Sequence, residues 1–258
     1  VSKIVSIHSF RGGTGKSNIT ANVAVIVAQR GYRVGIIDTD IQSPGIHVLF
    51  GLDEEKRDKS LNDYLWGRCT IEETAYDVGA ALNAGERGAP AIDGRIFLIP
   101  SSLNVGEITR VLREGYDVGL LTDGLRELVR QLNLDYLFID THPGLNPETL
   151  LSIAISDVLL ILLRPDQQDY QGTGVTVDVA RKLDVPQMFL VVNKVLASFD
   201  FADVREEMEE AYGCPVAAVL PLSEDLMRLG SEDIFCLQYP DHPFTRSIEE
   251  MAVKVLEG

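Results

Sequence analysis

The chain has 258 residues, 45% of them hydrophobic and 24% charged, an ordinary globular balance with enough length for one large α/β domain. Its net charge of −16 opposes sequence-independent binding to nucleic-acid phosphate and adhesion to an anionic membrane. Three widely spaced cysteines (Cys69, Cys214 and Cys236) argue against a disulfide framework. No stretch has the length of a membrane span or the pattern of a secretory leader, so a soluble cytoplasmic protein with free thiols is expected.

The first apolar run, Ile4-Val5-Ser6-Ile7, predicts a strand. Phe10-Arg11-Gly12-Gly13-Thr14-Gly15-Lys16-Ser17 follows, and then a helical pattern with Ile19, Val23, Ile26 and Val27 on one face. Strand, glycine-rich turn, Lys-Ser and helix is the context of a phosphate-binding loop. Glycines let successive N–H groups turn toward phosphate oxygens, and the helix N-terminus adds partial positive charge. Lys16 has the reach for the β- and γ-phosphates, and the Ser17 hydroxyl is a Mg²⁺ ligand type. The first glycine of the common spelling is displaced: Phe10 stands in its place.

This displaced loop resembles that of the deviant Walker A ATPases, the ParA/MinD family of P-loop proteins. The resemblance implies ATP and Mg²⁺ as cofactors. Gly12, Gly13, Thr14, Gly15, Lys16, Ser17 and Asn18 would then hold the nucleotide. The family carries a lysine, which reaches the nucleotide of a partner subunit, where this chain has Arg11. Arginine keeps the charge and adds a planar fork of donors.

Continuing along the chain, Tyr32-Arg33-Val34-Gly35-Ile36-Ile37 predicts a second strand running into Asp38-Thr39-Asp40. Two carboxylates past the carboxyl end of a strand lie where open α/β sheets place ligands, though the same spelling suits a solvated turn. The resemblance implies that Asp40 orients the attacking water and that Asp38 lies near the Mg²⁺ shell. Short helices are expected at 46–50 and around Leu61, Leu65 and Trp66, with a charged connector at 52–59. Residues 79–94, rich in Gly and Ala, predict a flexible surface loop.

A third strand is expected at 95–100, helices at 104–114 and 117–132, and a fourth strand at 135–140 ending in Asp140, the Walker B pattern of apolar residues before a Mg²⁺-holding acid. Thr141-His142-Pro143-Gly144 follows, with His142 open as a base or a turn residue. The apolar run 157–163 predicts a strand buried on both faces. It leads through Asp166-Gln167-Gln168-Asp169 to a helix with Val175, Val179 and Leu183. Further strands are expected at 187–192 and 216–220, with an acidic amphipathic helix at 200–211 between them. By the resemblance, Asn193 would meet the adenine edge, and Pro221 and Leu222 would pack on its ring. The closing helix lacks the basic face of MinD membrane tails.

Seven strand candidates alternating with helices predict a doubly wound, mostly parallel sheet of seven or eight strands with helices on both faces, and one P-loop ATPase domain over 1–258. The implied function is a slowly hydrolysing switch ATPase: an ATP-bound homodimer that positions or regulates a protein cargo. A non-hydrolysing nucleotide-binding adaptor, or an iron–sulfur-related ATPase, are the alternatives.

Overall fold

The computed structural model describes residues 2–83 and 90–257. The strands are β1 (Lys3–His8), β2 (Arg33–Asp38), β3 (Tyr76–Asp77), β4 (Arg95–Ile99), β5 (Tyr136–Asp140), β6 (Val158–Leu163), β7 (Gln187–Val195) and β8 (Val216–Pro221). The helices are α1 (Lys16–Gln29), α2 (Ile46–Leu49), α3 (Leu61–Leu65), α4 (Gly79–Asn83), α5 (Val105–Glu114), α6 (Val118–Gln131), α7 (Pro147–Ala154), α8 (Gln167–Lys182), α9 (Phe201–Tyr212), α10 (Glu224–Leu229), α11 (Phe235–Gln238) and α12 (Pro243–Glu257).

The strands form one eight-stranded sheet in the order β3-β4-β2-β5-β1-β6-β7-β8, parallel except for β3, which pairs antiparallel with β4. The seven strands expected from the apolar runs are all present. The eighth, β3, is two residues long and carries no periodic signal. It forms because Tyr76 pairs opposite Leu98 at the open edge, while its hydroxyl bonds both the N–H and the carbonyl of Lys59.

Alternation along the strands builds a core on each face. Val34 and Ile36 of β2, Tyr136 and Phe138 of β5, and Val158, Leu160 and Leu162 of β6 pack with α1, α11 and α12. The residues between them (Ile37, Leu137 and Ile139) face α3, α5 and α6, while Leu159, Ile161 and Leu163 face α8 and α9. Every residue of β6 is buried, as a central parallel strand requires.

Helix α1 departs from the one-faced pattern expected of it. It is buried without a break from Ile19 to Ala28, because α12 covers the side turned away from the sheet. The closing helix packs Phe244, Ile248, Met251 and Val255 into that same core, so its apolar face is already used.

Part of the expected 79–94 loop is ordered. Residues 79–83 are α4, and Leu82 is buried with Val78 and Ile92 against the α1 side of the sheet. The Asn83 side chain clamps Ile92 through both its N–H and its carbonyl. The Gly and Ala composition hid these three apolar anchors; residues 84–89 of that expectation lie outside the described residues.

Candidate nucleotide site

The loop after β1, the turn after β2 and the turn after β5 meet at the carboxyl edge of the sheet. Strands β2 and β5 are neighbours, with Asp38 opposite Asp140. A cavity of about 410 Å³ is lined there by Gly12, Gly13, Gly15, Lys16, Ser17, Asn18, Asp40, Ser43, His142 and Pro143, among others. Gly13 and Gly15 take left-handed backbone angles, φ +77° and +98°, that a side chain would strain. Thr14 is buried, and its Oγ1 has no hydrogen-bond partner.

Asp38 is fully buried, and its carboxylate accepts from the Asp40 N–H (3.0 Å) and the Gly45 N–H (3.1 Å), so it shapes the turn after β2. Burial, and next the Asp140 charge, hold its pKa well above the usual carboxylate range. Burial likewise raises Asp140 to about 6, against the Ser17 hydrogen bond and the Lys16 charge, which lower it. The Thr20 hydroxyl, 2.9 Å from the Lys16 carbonyl, also lies 3.3 Å from Asp140 Oδ1. Asp140 beside the Ser17 hydroxyl, with Asp38 opposite it on the neighbouring strand, forms a hard, oxygen-only donor set whose raised carboxyl pKa values mark acids short of a counter-charge. That set fits Mg²⁺, with Ser17 and Asp140 as the nearest candidates to hold it.

Beyond Gly15 a second cavity, of about 360 Å³, is lined by Asn18, Ile19, Asn193, Lys194, Pro221, Leu222, Leu226 and Met227, among others. Gly15, Asn18 and Ser231 line both cavities. The expected base residues Asn193, Pro221 and Leu222 are therefore brought together beside the loop. Asn193 also braces that loop. Its Nδ2 donates to the Thr14 carbonyl (2.8 Å), and a Cβ at position 15 would lie 2.7 Å from that nitrogen.

Residues 5–234 match the family described as the CobQ/CobB/MinD/ParA nucleotide binding domain. The chain belongs to that family.

An uncharacterized ATP-binding protein of Methanocaldococcus jannaschii is 26% identical over 98% of this chain and 87% of its own length. An iron-sulfur cluster carrier protein of Pyrococcus horikoshii is 22% identical over 98% of this chain and 85% of its own. The solved structure of the septum site-determining protein MinD of Pyrococcus horikoshii, complexed with Mg-ADP, superposes with a TM-score of 0.80 at 20% identity, covering 100% of this chain and 98% of that one. The fold is thus the P-loop fold of the MinD/ParA ATPases.

Within this member of the CobQ/CobB/MinD/ParA family, the displaced loop has its own supports. Phe10, where the common spelling has glycine, lies against α8 at Gly172. A Cβ there would come within 2.1 Å of the Phe10 ring. Arg11 reaches the start of α8 in its own chain. Its guanidinium bonds the Gln168 side chain and lies 4.0 Å from Asp166 and 3.9 Å from Asp169. Asp169 is buried and also takes a two-pronged bond from Arg164.

Sequence reasoning missed two residues. Lys194, a non-glycine residue at φ +62°, sends its ammonium to the Gly13 carbonyl (2.7 Å). The one signal available was its place directly after Asn193. His8 ends β1 fully buried, with Nδ1 2.9 Å from the Thr141 hydroxyl and Nε2 unpartnered. The Thr141 proton goes to the Ile7 carbonyl, so His8 Nδ1 carries the donated hydrogen.

Burial, and next the Lys16 charge, push the His8 pKa from 6.5 down to about 3. A base whose pKa is lowered by folding binds fewer protons folded than unfolded, so stability is lost as pH falls from 6.5 toward 3. At about 1.4 kcal/mol per unit, the full loss is roughly 3 to 5 kcal/mol. Urea melts of His8→Gln at pH 7 and pH 4 should show a shallower acid-side loss than the unaltered chain. Equal slopes would remove His8 from the acid sensitivity.

Proposed function

We propose that this chain is an ATP-hydrolysing molecular switch in one P-loop ATPase domain over 1–258, closing as an ATP-bound homodimer that positions or regulates a protein cargo. The observation that carries the reading is the convergence of Lys16, Ser17 and Asp40 on one cavity, with the buried Asp140 hydrogen-bonded to Ser17 behind it, and the continuation of that cavity into a base-sized one. Lys16 and the loop amides bind the phosphates. Ser17 and Asp140 would hold Mg²⁺, with Asp38 behind them shaping the turn. When bound, the ion would offset the negative charge of the phosphates. Asp40 orients the attacking water.

Adenine is the favoured base. Guanine's adjacent N–H and amino group are suited to the two oxygens of a carboxylate, and no Asp or Glu is among the residues lining the base cavity. A protein partner is favoured over DNA or lipid by the charge of −16. The iron–sulfur reading is disfavoured because Cys214 and Cys236 are buried in different cores and Cys69 packs in a third. The engagement of Arg11 with its own α8 favours, as the second reading, an adaptor that does not contact a partner's nucleotide.

Light scattering with no nucleotide, with ADP and with ATP decides between these two readings. With Asp40→Ala to block turnover, ATP alone should shift monomer to dimer, and Arg11→Ala should reverse the shift. A mass that never changes with ATP overturns the switch and leaves the adaptor.

A further inference from the structure

Asp40 and His142 each stand two residues beyond the end of a strand. Those strands, β2 and β5, are parallel neighbours with Asp38 opposite Asp140, and the Thr39 N–H continues the pairing to the Asp140 carbonyl at 3.0 Å. The topology therefore brings both side chains to the same height over the sheet edge. Both line the phosphate-side cavity. His142 Nε2 lies 3.8 Å from Asp40 Oδ1, too far for a direct hydrogen bond.

Which ring nitrogen carries the hydrogen in the neutral form follows from its neighbours. His142 Nδ1 sits 2.6 Å from the Pro143 carbonyl oxygen, an approach that is attractive with a hydrogen on Nδ1 and repulsive between two bare acceptors. The Asn146 amide nitrogen, 3.3 Å from Nδ1, offers only a weaker alternative. Neutral His142 is thus assigned as the Nδ1–H tautomer, with a bare lone pair on Nε2 facing Asp40. Asp40 Oδ1 accepts the Ser43 N–H at 3.1 Å and has a second lone pair to offer.

Two acceptors at this spacing can receive both hydrogens of one water. With hydrogen bonds of about 2.8 Å, the angle subtended at the water oxygen is about 85°, roughly 20° from the water's own. The oxygen lone pairs then point away from both residues.

We propose that His142 is a second water-positioning residue. Its Nε2 and Asp40 Oδ1 together grip the attacking water by its two hydrogens and turn its lone pair toward the terminal phosphate. This rests on the ATPase reading above. In the step, the water oxygen bonds to the γ-phosphorus as the bond to the β–γ bridging oxygen breaks. The products are ADP and inorganic phosphate, with one water hydrogen kept on the phosphate and the other released to solvent. A single acceptor leaves the water free to rotate about one hydrogen bond; two fix it, which is the orientational part of catalysis.

The test measures steady-state ATP hydrolysis and the affinity of a fluorescent ATP analogue for the unaltered chain and for Asp40→Ala, His142→Ala, His142→Gln and His142→Lys. His142→Ala should lower kcat about 10- to 100-fold, with KM and analogue affinity within about twofold. His142→Gln, whose amide oxygen restores an acceptor, should recover most of the rate, and His142→Lys should not. Three results overturn the proposal: an unchanged kcat in His142→Ala, a loss confined to affinity, or rescue by Lys and not by Gln, which would make the pair a charge contact. If Asp40→Ala halts turnover while His142→Ala does not, the ATPase reading stands and the role of His142 alone falls. If the unaltered chain hydrolyses no ATP, both fall.

Discussion

Lys16→Ala should lose ATP binding by a factor of about 10² to 10³ or more, on the basis that hydrogen bonds to charged groups are worth about 1.5–3 kcal/mol each and Lys16 can serve two phosphates. Lys16 is largely buried; burial raises the pKa of both Asp40 and Asp140, and the Lys16 charge opposes that rise at each. Removing it takes a donor from the phosphates and leaves the carboxylates more mutually repulsive. Both changes oppose a polyanionic ligand. Titration calorimetry with ATP and Mg²⁺ measures the loss, and circular dichroism checks that the variant is folded. An affinity within about threefold of the unaltered chain would remove the loop from nucleotide binding, and the switch function with it.

The largest loss of stability is expected at Gly94→Ala, far from that site. A Cβ at position 94 would lie 2.0 Å from the Tyr32 carbonyl oxygen and 2.7 Å from that of Ala28. Both obstacles are backbone, at the end of α1 and the start of β2, and neither can swing aside. The Gly94 N–H also bonds the Ala28 carbonyl (2.9 Å), and the Arg95 N–H bonds that of Tyr32 (3.3 Å), so relieving the clash strains the approach to β4. A loss of about 3 kcal/mol or more follows from overpacking against fixed atoms. Thermal melts should show Tm falling by roughly 6–12 °C. Gly174→Ala, inside α8 with Tyr212 at an ordinary 3.7 Å, should instead hold or gain up to about 1 kcal/mol. Equal melting of the two variants would contradict the packing around Gly94.

The contrast between those glycines shows what the sequence carries. Its apolar runs place seven strands, because runs as short as Val158–Leu163, bounded by polar residues, suit a buried strand better than a helix. The displaced loop and the acids after β2 and β5 point to the site, because spacing from a strand end becomes position on a sheet edge. Two short helices, at 46–49 and 61–65, were legible from their apolar residues, but other short elements were not. Tyr76–Asp77 is a strand because of Leu98 and Lys59, partners distant in sequence. Helix α7 did leave a signal, Asn146 capping the Thr149 N–H with Pro147 in the first turn, but its apolar face is too short to stand out. His8 and Lys194 act through contacts with Thr141 and Gly13, more than 130 residues away in the chain, and no local pattern reports such pairs.

The hold that β7 has on the loop has a directional consequence. In a trans peptide the carbonyl and the following N–H point opposite ways. Lys194 draws the Gly13 carbonyl, and Asn193 the Thr14 carbonyl, toward the end of β7. The N–H groups of Thr14 and Gly15 must therefore face away from it. The donors are aimed before any anion arrives, by side chains that also border the base cavity. A ligand that fills the base end and disturbs Asn193 would loosen the aim at the phosphate end. The two halves of a nucleotide are thus sensed as one object, and preorganisation of this kind lowers the entropy lost on capture.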